Sequence, residues 1–168
     1  MLCGNYILSN RSEWTFYFLS SVQFNFTIGE NKFFVKELRT GYVVLGDNQH
    51  FRGYTLFLYK KHKNELYELD STEKQAFLEE MSLVGEAVSK AFECEKMNYE
   101  LLGNGDSHLH WHLFPRVSGD LGEYGYYGKG PVWWYPREKM YSAENVLNDK
   151  ELEELKQKLK IELDKMYK

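Results

Sequence analysis

Five histidines occur in the 168-residue chain, and three of them alternate strictly in His108-Leu109-His110-Trp111-His112. Neutral imidazoles at this spacing could do two kinds of chemistry. The first is metal ligation, zinc above all: His-x-His on a strand can bring two nitrogens to one ion, with the third histidine or a carboxylate completing the set. The second is nucleophilic catalysis at phosphorus: one ring attacks and forms a phosphoramidate while its neighbours hold its tautomer and bind phosphate oxygens. The bland alternative is a row of partly exposed, hydrogen-bonded strand histidines, but three at alternate positions serve no obvious packing purpose.

Strand periodicity supplies the geometry. Side chains two apart share a face, so His108, His110 and His112 are expected side by side, with about 7 Å between neighbours. Leu109, Trp111 and Leu113 then form the opposite face, which must pack under a helix. Around this strand the sequence predicts others at Phe33–Val35, Tyr42–Leu45, Tyr54–Tyr59 and Asn98–Leu102. Gly46-Asp47-Asn48 and Gly103 to Ser107 read as turns. A helix follows Asp70, with Glu73 placed for a capping box and Phe77, Met81, Val84, Val88 and Phe92 on one apolar side. Leu152, Leu155, Leu159, Leu163 and Met166 mark a second, C-terminal helix capped by Asn148 or Asp149. Strands on both sides of a central helix, without regular βαβ alternation, predict an α+β fold with a mostly antiparallel sheet.

Three segments follow: 1–24 as an N-terminal arm or extra strand, 25–117 as the domain that carries the histidines, and 118–168 as a loop and helix packed on it. The stretch 117–137 holds five glycines among Tyr124, Tyr126, Tyr127, Trp133, Trp134 and Tyr135. It reads as a binding loop or lid, or as a solvent-facing excursion pinned by its rings.

Composition narrows the class. Apolar residues make up 43%, charged residues 27% and aromatics 17%, which fits a globular domain with a ring-rich core. A net charge of -4 with no basic stripe argues against an extended nucleic-acid partner. Cys3 and Cys94 lie far apart and form no Cys-x-x-Cys, so neither a disulfide scaffold nor a cysteine metal site is expected. No apolar run reaches the roughly 18 residues of a membrane span. The opening MLCGNYILSNRSEW lacks the basic start of a signal peptide, and a cytoplasmic location is expected.

The segment HLHWHLFPR resembles the signature of the histidine triad (HIT) family, His-x-His-x-His followed by two apolar residues and often Pro-Arg. TGYVVLGDNQHFRGYTLFLYKKH is similar to the family's nucleotide-pocket strands, and the likeness covers about residues 30 to 117. The resemblance implies a HIT-like fold, usually homodimeric, and a nucleotide hydrolase or nucleotidyl transferase acting at an α-phosphate of a dinucleoside polyphosphate or nucleoside phosphoramidate type substrate. His110 would be the nucleophile that forms a nucleotidyl-histidine. His112 would contact phosphate, and His108 would orient His110 through a hydrogen bond. Asn104 and Ser107 would face phosphate and Asp47 the ribose, although turn chemistry alone also suits Asp47 and Asn104. Because attack needs a neutral ring, protonation of the nucleophile should silence it. Neither a cofactor nor a structural metal is implied.

The sequence departs from the family pattern in places. Tyr54 follows Gly53 where many members have histidine, which leaves that role empty or passed to His50 or His62. The usual Gly-Gln loop before the triad is missing, and Trp111 replaces a smaller residue. Arg116 reads first as a surface ion-pair partner and second as a contact for phosphate or a carboxylate. The competing readings are a zinc-dependent hydrolase built on the same triplet and a non-catalytic nucleotide-binding module.

Overall fold

The computed structural model describes residues 31–120, Val132 and residues 135–167. The expected arm at 1–24 and most of the glycine- and aromatic-rich segment lie outside the described residues. The described chain builds a five-stranded sheet: β1 (Phe34–Glu37), β2 (Gly41–Leu45), β3 (Thr55–Tyr59), β4 (Lys96–Glu100) and β5 (His110–Arg116). Every pairing is antiparallel and the spatial order is β1-β2-β3-β5-β4. Helix α1 (Ser71–Phe92) connects β3 to β4, a short α2 (Arg137–Met140) follows the sheet, and α3 (Asp149–Met166) ends the described chain. This is the expected α+β fold.

Alternation along the strands splits the interior in two. Val43, Leu45, Phe57 and Leu113 point to one face, where α1 lays down Phe77, Val84, Ala87 and Val88 and α3 lays down Leu152, Leu155, Leu159 and Leu163. Full burial of each such side chain contributes roughly 1.5–3 kcal/mol before entropy is counted. On the other face Tyr42, Val44, Tyr54, Leu56, Leu58 and Phe114 gather with Phe51, Val132 and Met140. Leu109 and Leu113 sit on the helix side as expected, and Trp111 packs there half-buried.

Capping shows where local signals were right and where tertiary contacts took over. Asn148 and Glu151 form a complete capping box at the start of α3. At α1 one half forms: Asp70 accepts from the Glu73 backbone N–H at 2.9 Å, but the Glu73 carboxylate pairs with Lys61 instead of returning to the cap. The buried carboxylate of Glu80 accepts from the backbone N–H groups of Arg39 (3.1 Å) and Thr40 (2.8 Å), which ties the β1–β2 turn to α1.

Strand boundaries shift by up to two residues. The strand expected at Asn98–Leu102 runs from Lys96 to Glu100, and the histidine strand, expected to include His108, runs from His110 to Arg116. The β4–β5 ladder extends from Lys96↔Arg116 to Glu100↔His112, so the chain between Glu100 and His110 is a loop. Pro115 lies beyond the last β3–β5 pair, Thr55↔Leu113, where β5 has a strand on one side only. Among the described residues no helix is long and apolar enough to cross a membrane.

Candidate active site

The site forms where β5 leaves its loop and faces the aromatic side of the sheet. The register places His110 opposite Leu58 and His112 opposite Leu56, so both rings rise from the central pair of strands. They stand closer than strand rise alone predicts. Their centroids are 4.6 Å apart at 66°, and the two Nε2 atoms meet at 2.9 Å. Both residues are buried.

His108 corrects the expectation of three rings in a row. It precedes the strand, and its Nε2–H donates to the Tyr59 carbonyl at 2.8 Å. Its ring stacks on exposed His62 at 5.8 Å. What reaches His110 is the His108 backbone: the His108 carbonyl lies 2.5 Å from His110 Nδ1. That turn is held in its own right, because His108 N–H donates to Asp106 Oδ1 at 3.0 Å and Leu109 N–H donates to the Lys63 carbonyl at 2.7 Å. The orienting contact is thus made by main chain, and Asp106, which sequence reasoning passed over, supports it.

A carbonyl only accepts, so His110 must carry its proton on Nδ1. In the neutral ring Nε2 then holds a lone pair, and the 2.9 Å contact requires His112 to donate from its Nε2. The electrostatics keep the neighbours uncharged. Burial, reinforced by His110, holds His112 well below the ordinary imidazole range. Burial also pulls His108 down to about 4, against the opposing hydrogen bond to Tyr59. The arrangement offers a buried nitrogen lone pair beside a directed N–H donor.

The upstream position where the family pattern carries histidine is filled by Tyr54 itself. Its hydroxyl lies 2.6 Å from His112 Nδ1. His50 does not take that place: its Nε2 lies 3.2 Å from the Asp120 carbonyl and its ring stacks on Tyr135 at 5.0 Å. His62 stacks on His108. The signal was available in the Gly53-Tyr54 pair, but a tyrosine there reads as an ordinary aromatic strand residue.

The expected substrate residues all lie in loops. Asn104 and Ser107 are exposed in the loop before β5, and Asp47 is half-buried in the β2–β3 loop. Burial pushes the Asp47 carboxyl above the usual carboxylate range, with backbone N–H groups and Lys32 opposing. Arg116 is not a surface partner. It is buried and donates from Nε and Nη2 to Asp120 at 2.6 and 2.9 Å, and from Nη1 to Asn98 Oδ1 at 3.1 Å. Its work is structural, closing the end of β5. Among the described residues no group of three or more His, Cys, Asp or Glu is placed to hold a metal ion.

A model of the HIT domain matches residues 30–119. Among solved structures, a histidine triad (HIT) protein from Sinorhizobium meliloti 1021 shares 22% identity, covering 74% of this chain and 84% of that one, with a TM-score of 0.61. A histidine triad protein from Marinobacter aquaeolei VT8 shares 24% identity over 79% and 88%, with a TM-score of 0.59. A hypothetical histidine triad nucleotide-binding protein from Sulfolobus tokodaii strain7 shares 18% identity over 80% and 85%, with a TM-score of 0.58. At these identities the likeness is one of fold. No curated protein matches the chain.

Proposed function

This chain belongs to the HIT family, and from that premise we propose that it is a nucleotide hydrolase or nucleotidyl transferase working through a nucleotidyl-histidine. The observation that carries the reading is the His110 ring, held by its Nδ1 on the His108 carbonyl at 2.5 Å with Nε2 turned to His112. In the neutral ring that contact takes the single N–H to the main chain, so the attacking nitrogen keeps its lone pair.

In the first step His110 Nε2 bonds to the α-phosphorus, and the bond from phosphorus to the leaving group breaks, its electron pair departing with that group. The positive charge placed on the ring is eased by the Nδ1–H···O=C contact. His112 supplies an N–H to the phosphoryl oxygens. In the second step a water oxygen, or an acceptor hydroxyl in transfer, bonds to phosphorus. The N–P bond returns its pair to Nε2, and the proton of the attacking group passes to solvent or to the departed group. Dinucleoside polyphosphates, nucleoside phosphoramidates and nucleotide sugars all present such an α-phosphate. Asn104, Ser107 and Asp47 are the proposed substrate contacts, with phosphate for the first two and ribose for Asp47. The family reading also proposes a homodimer.

The test is a panel of diadenosine polyphosphate, adenosine 5′-phosphoramidate and a nucleotide sugar, with intact-mass detection of the adduct. The expected result is nucleoside monophosphate release and a nucleotidyl adduct mapping to His110. His110→Ala should lose the adduct and lower turnover by about 10³-fold or more. Wild-type turnover in that variant would overturn the assignment, and nucleotide binding without any trapped adduct would favour a non-catalytic module.

A further inference from the structure

Tyr54 is built into the site more firmly than an aromatic filler needs to be. Its N–H donates to the Phe51 carbonyl at 2.8 Å. Its own carbonyl accepts from Gly46 N–H at 2.8 Å and from Gln49 Nε2 at 3.0 Å. Its ring lies flat on Phe114, with centroids 4.3 Å apart at 8°. Gly46 leaves room for it, since a Cβ there would fall 2.2 Å from Tyr54 Cδ1. These contacts deliver the hydroxyl to 2.6 Å from His112 Nδ1.

Resting on the proposed reaction, we propose that Tyr54 is a positioning residue: its hydroxyl donates to His112 Nδ1 and holds Nε2–H of that ring on a non-bridging oxygen of the α-phosphate. Proton accounting supports the direction. A neutral His110 that donates from Nδ1 to a carbonyl accepts at Nε2 from His112. A neutral His112 that donates from Nε2 has an acceptor at Nδ1, and the tyrosine O–H is the donor that fits. One orientation therefore runs through the whole chain, Tyr54 O–H to His112, His112 N–H to His110, His110 N–H to the His108 carbonyl.

The target oxygen follows from displacement geometry. The leaving group departs on the far side of phosphorus from the attacking nitrogen, whereas the non-bridging oxygens lie around the equator and closer to it. His112 Nε2, 2.9 Å from His110 Nε2, is placed for the equator. When phosphate enters between the rings, His112 exchanges His110 for oxygen and Tyr54 still holds the other end of the ring. Burial keeps His112 neutral, so it donates a hydrogen bond without giving up its proton, and no proton leaves Tyr54.

The test has one readout without substrate and one with it. Long-range 1H–15N correlation spectra of the labelled protein should show His112 protonated on Nε2, with Nδ1 as a hydrogen-bonded acceptor. Tyr54→Phe keeps the ring on Phe114, and should move the Nδ1 resonance to that of an unbonded nitrogen. A proton on His112 Nδ1 in the wild type would overturn the proposal. In turnover of adenosine 5′-phosphoramidate, Tyr54→Phe should lower kcat about tenfold, the rate equivalent of one hydrogen bond, with KM changed less than about twofold. Tyr54→His should recover most of the loss. In a His112→Ala background the same Tyr54→Phe change should cost less than about twofold, because its effect passes through the missing ring. Equal losses in both backgrounds overturn the proposal. Should no panel substrate turn over while the nitrogen signature holds, the hydrolase reading fails and the Tyr54–His112 contact stands on the spectra.

Discussion

The two faces of the sheet are made by the same five strands and use burial for different ends. On the helix side the residues are aliphatic and phenyl apart from the phenol of Tyr59, and they gain by losing water: Phe57, Phe77, Leu113 and Leu155 have essentially no exposed surface. On the other side burial also surrounds groups that can titrate. His110 and His112 stand beside Tyr54 and Phe114, and their contacts are directional rather than merely close. Removing a helix-side ring should therefore cost stability, and removing a ring across the sheet should cost chemistry. The loss expected for His110→Ala, about 10³-fold in turnover, is the largest effect. It should come with a cooperative unfolding transition and a destabilisation of about 1–3 kcal/mol for each of the two buried hydrogen bonds it removes. An unfolded variant would erase the contrast.

The converse substitution is Phe57→Ala. Phe57 lies opposite Trp111 in the register and stacks on Phe77 at 5.0 Å. Its removal should destabilise by about 3–5 kcal/mol in urea unfolding. Turnover per folded molecule should stay near wild type, because the ring points away from the histidines. A proportionate loss of kcat in the folded fraction would show that the faces are coupled through β3.

Much of this contrast was legible in the chain. The 3.6-residue period of Phe77, Val84 and Val88 placed α1, and the two-residue period of Leu109, Trp111 and Leu113 identified which side of β5 meets a helix. Periodicity could not say where β5 begins. That is decided by the ladder with β4 and by the Leu109–Lys63 hydrogen bond, both non-local. His108 consequently fell on the wrong side of the boundary, and its orienting role passed from side chain to carbonyl. Tyr54 was missed for a related reason. A residue type identifies a possible donor, but only the folded β3–β5 pair brings that hydroxyl to His112. The carboxylate contact of Arg116 was among the alternatives, but its burial was not legible, because a surface ion pair and a buried bidentate one have the same letters.

Burial of a histidine has a thermodynamic consequence. His108 is held neutral in the fold, with its pKa near 4, whereas in the unfolded chain it protonates at the ordinary 6.5. As pH falls the unfolded state takes up the proton first. The contribution is therefore fully present above pH 6.5 and is lost as pH drops toward 4. A shift of this size corresponds to about 3 kcal/mol at most. His112, also held low, acts in the same direction. Urea unfolding at about pH 7.5 and about pH 4.5 should show the decline, and His108→Gln, which does not titrate, should flatten it. An unchanged pH slope in that variant would remove His108 as the cause.

The smallest expected effect probes the opposite end of the comparison. Asn148 caps α3 by accepting from Glu151 N–H at 3.0 Å, and the Glu151 carboxylate returns the bond to Asn148 N–H at 3.2 Å. α3 packs its leucines on the helix-covered side, in the same cluster as α1. Asn148→Ala should lower stability by about 1 kcal/mol, with the midpoint of urea unfolding moving and its slope unchanged. Its effect on kcat should be undetectable, because the cap lies on an element whose apolar face meets aliphatic core rather than the histidine pair. A kcat that followed this small stability loss would mean that the site samples opening through α3, and the division of labour between the two faces would have to be redrawn as one cooperative unit.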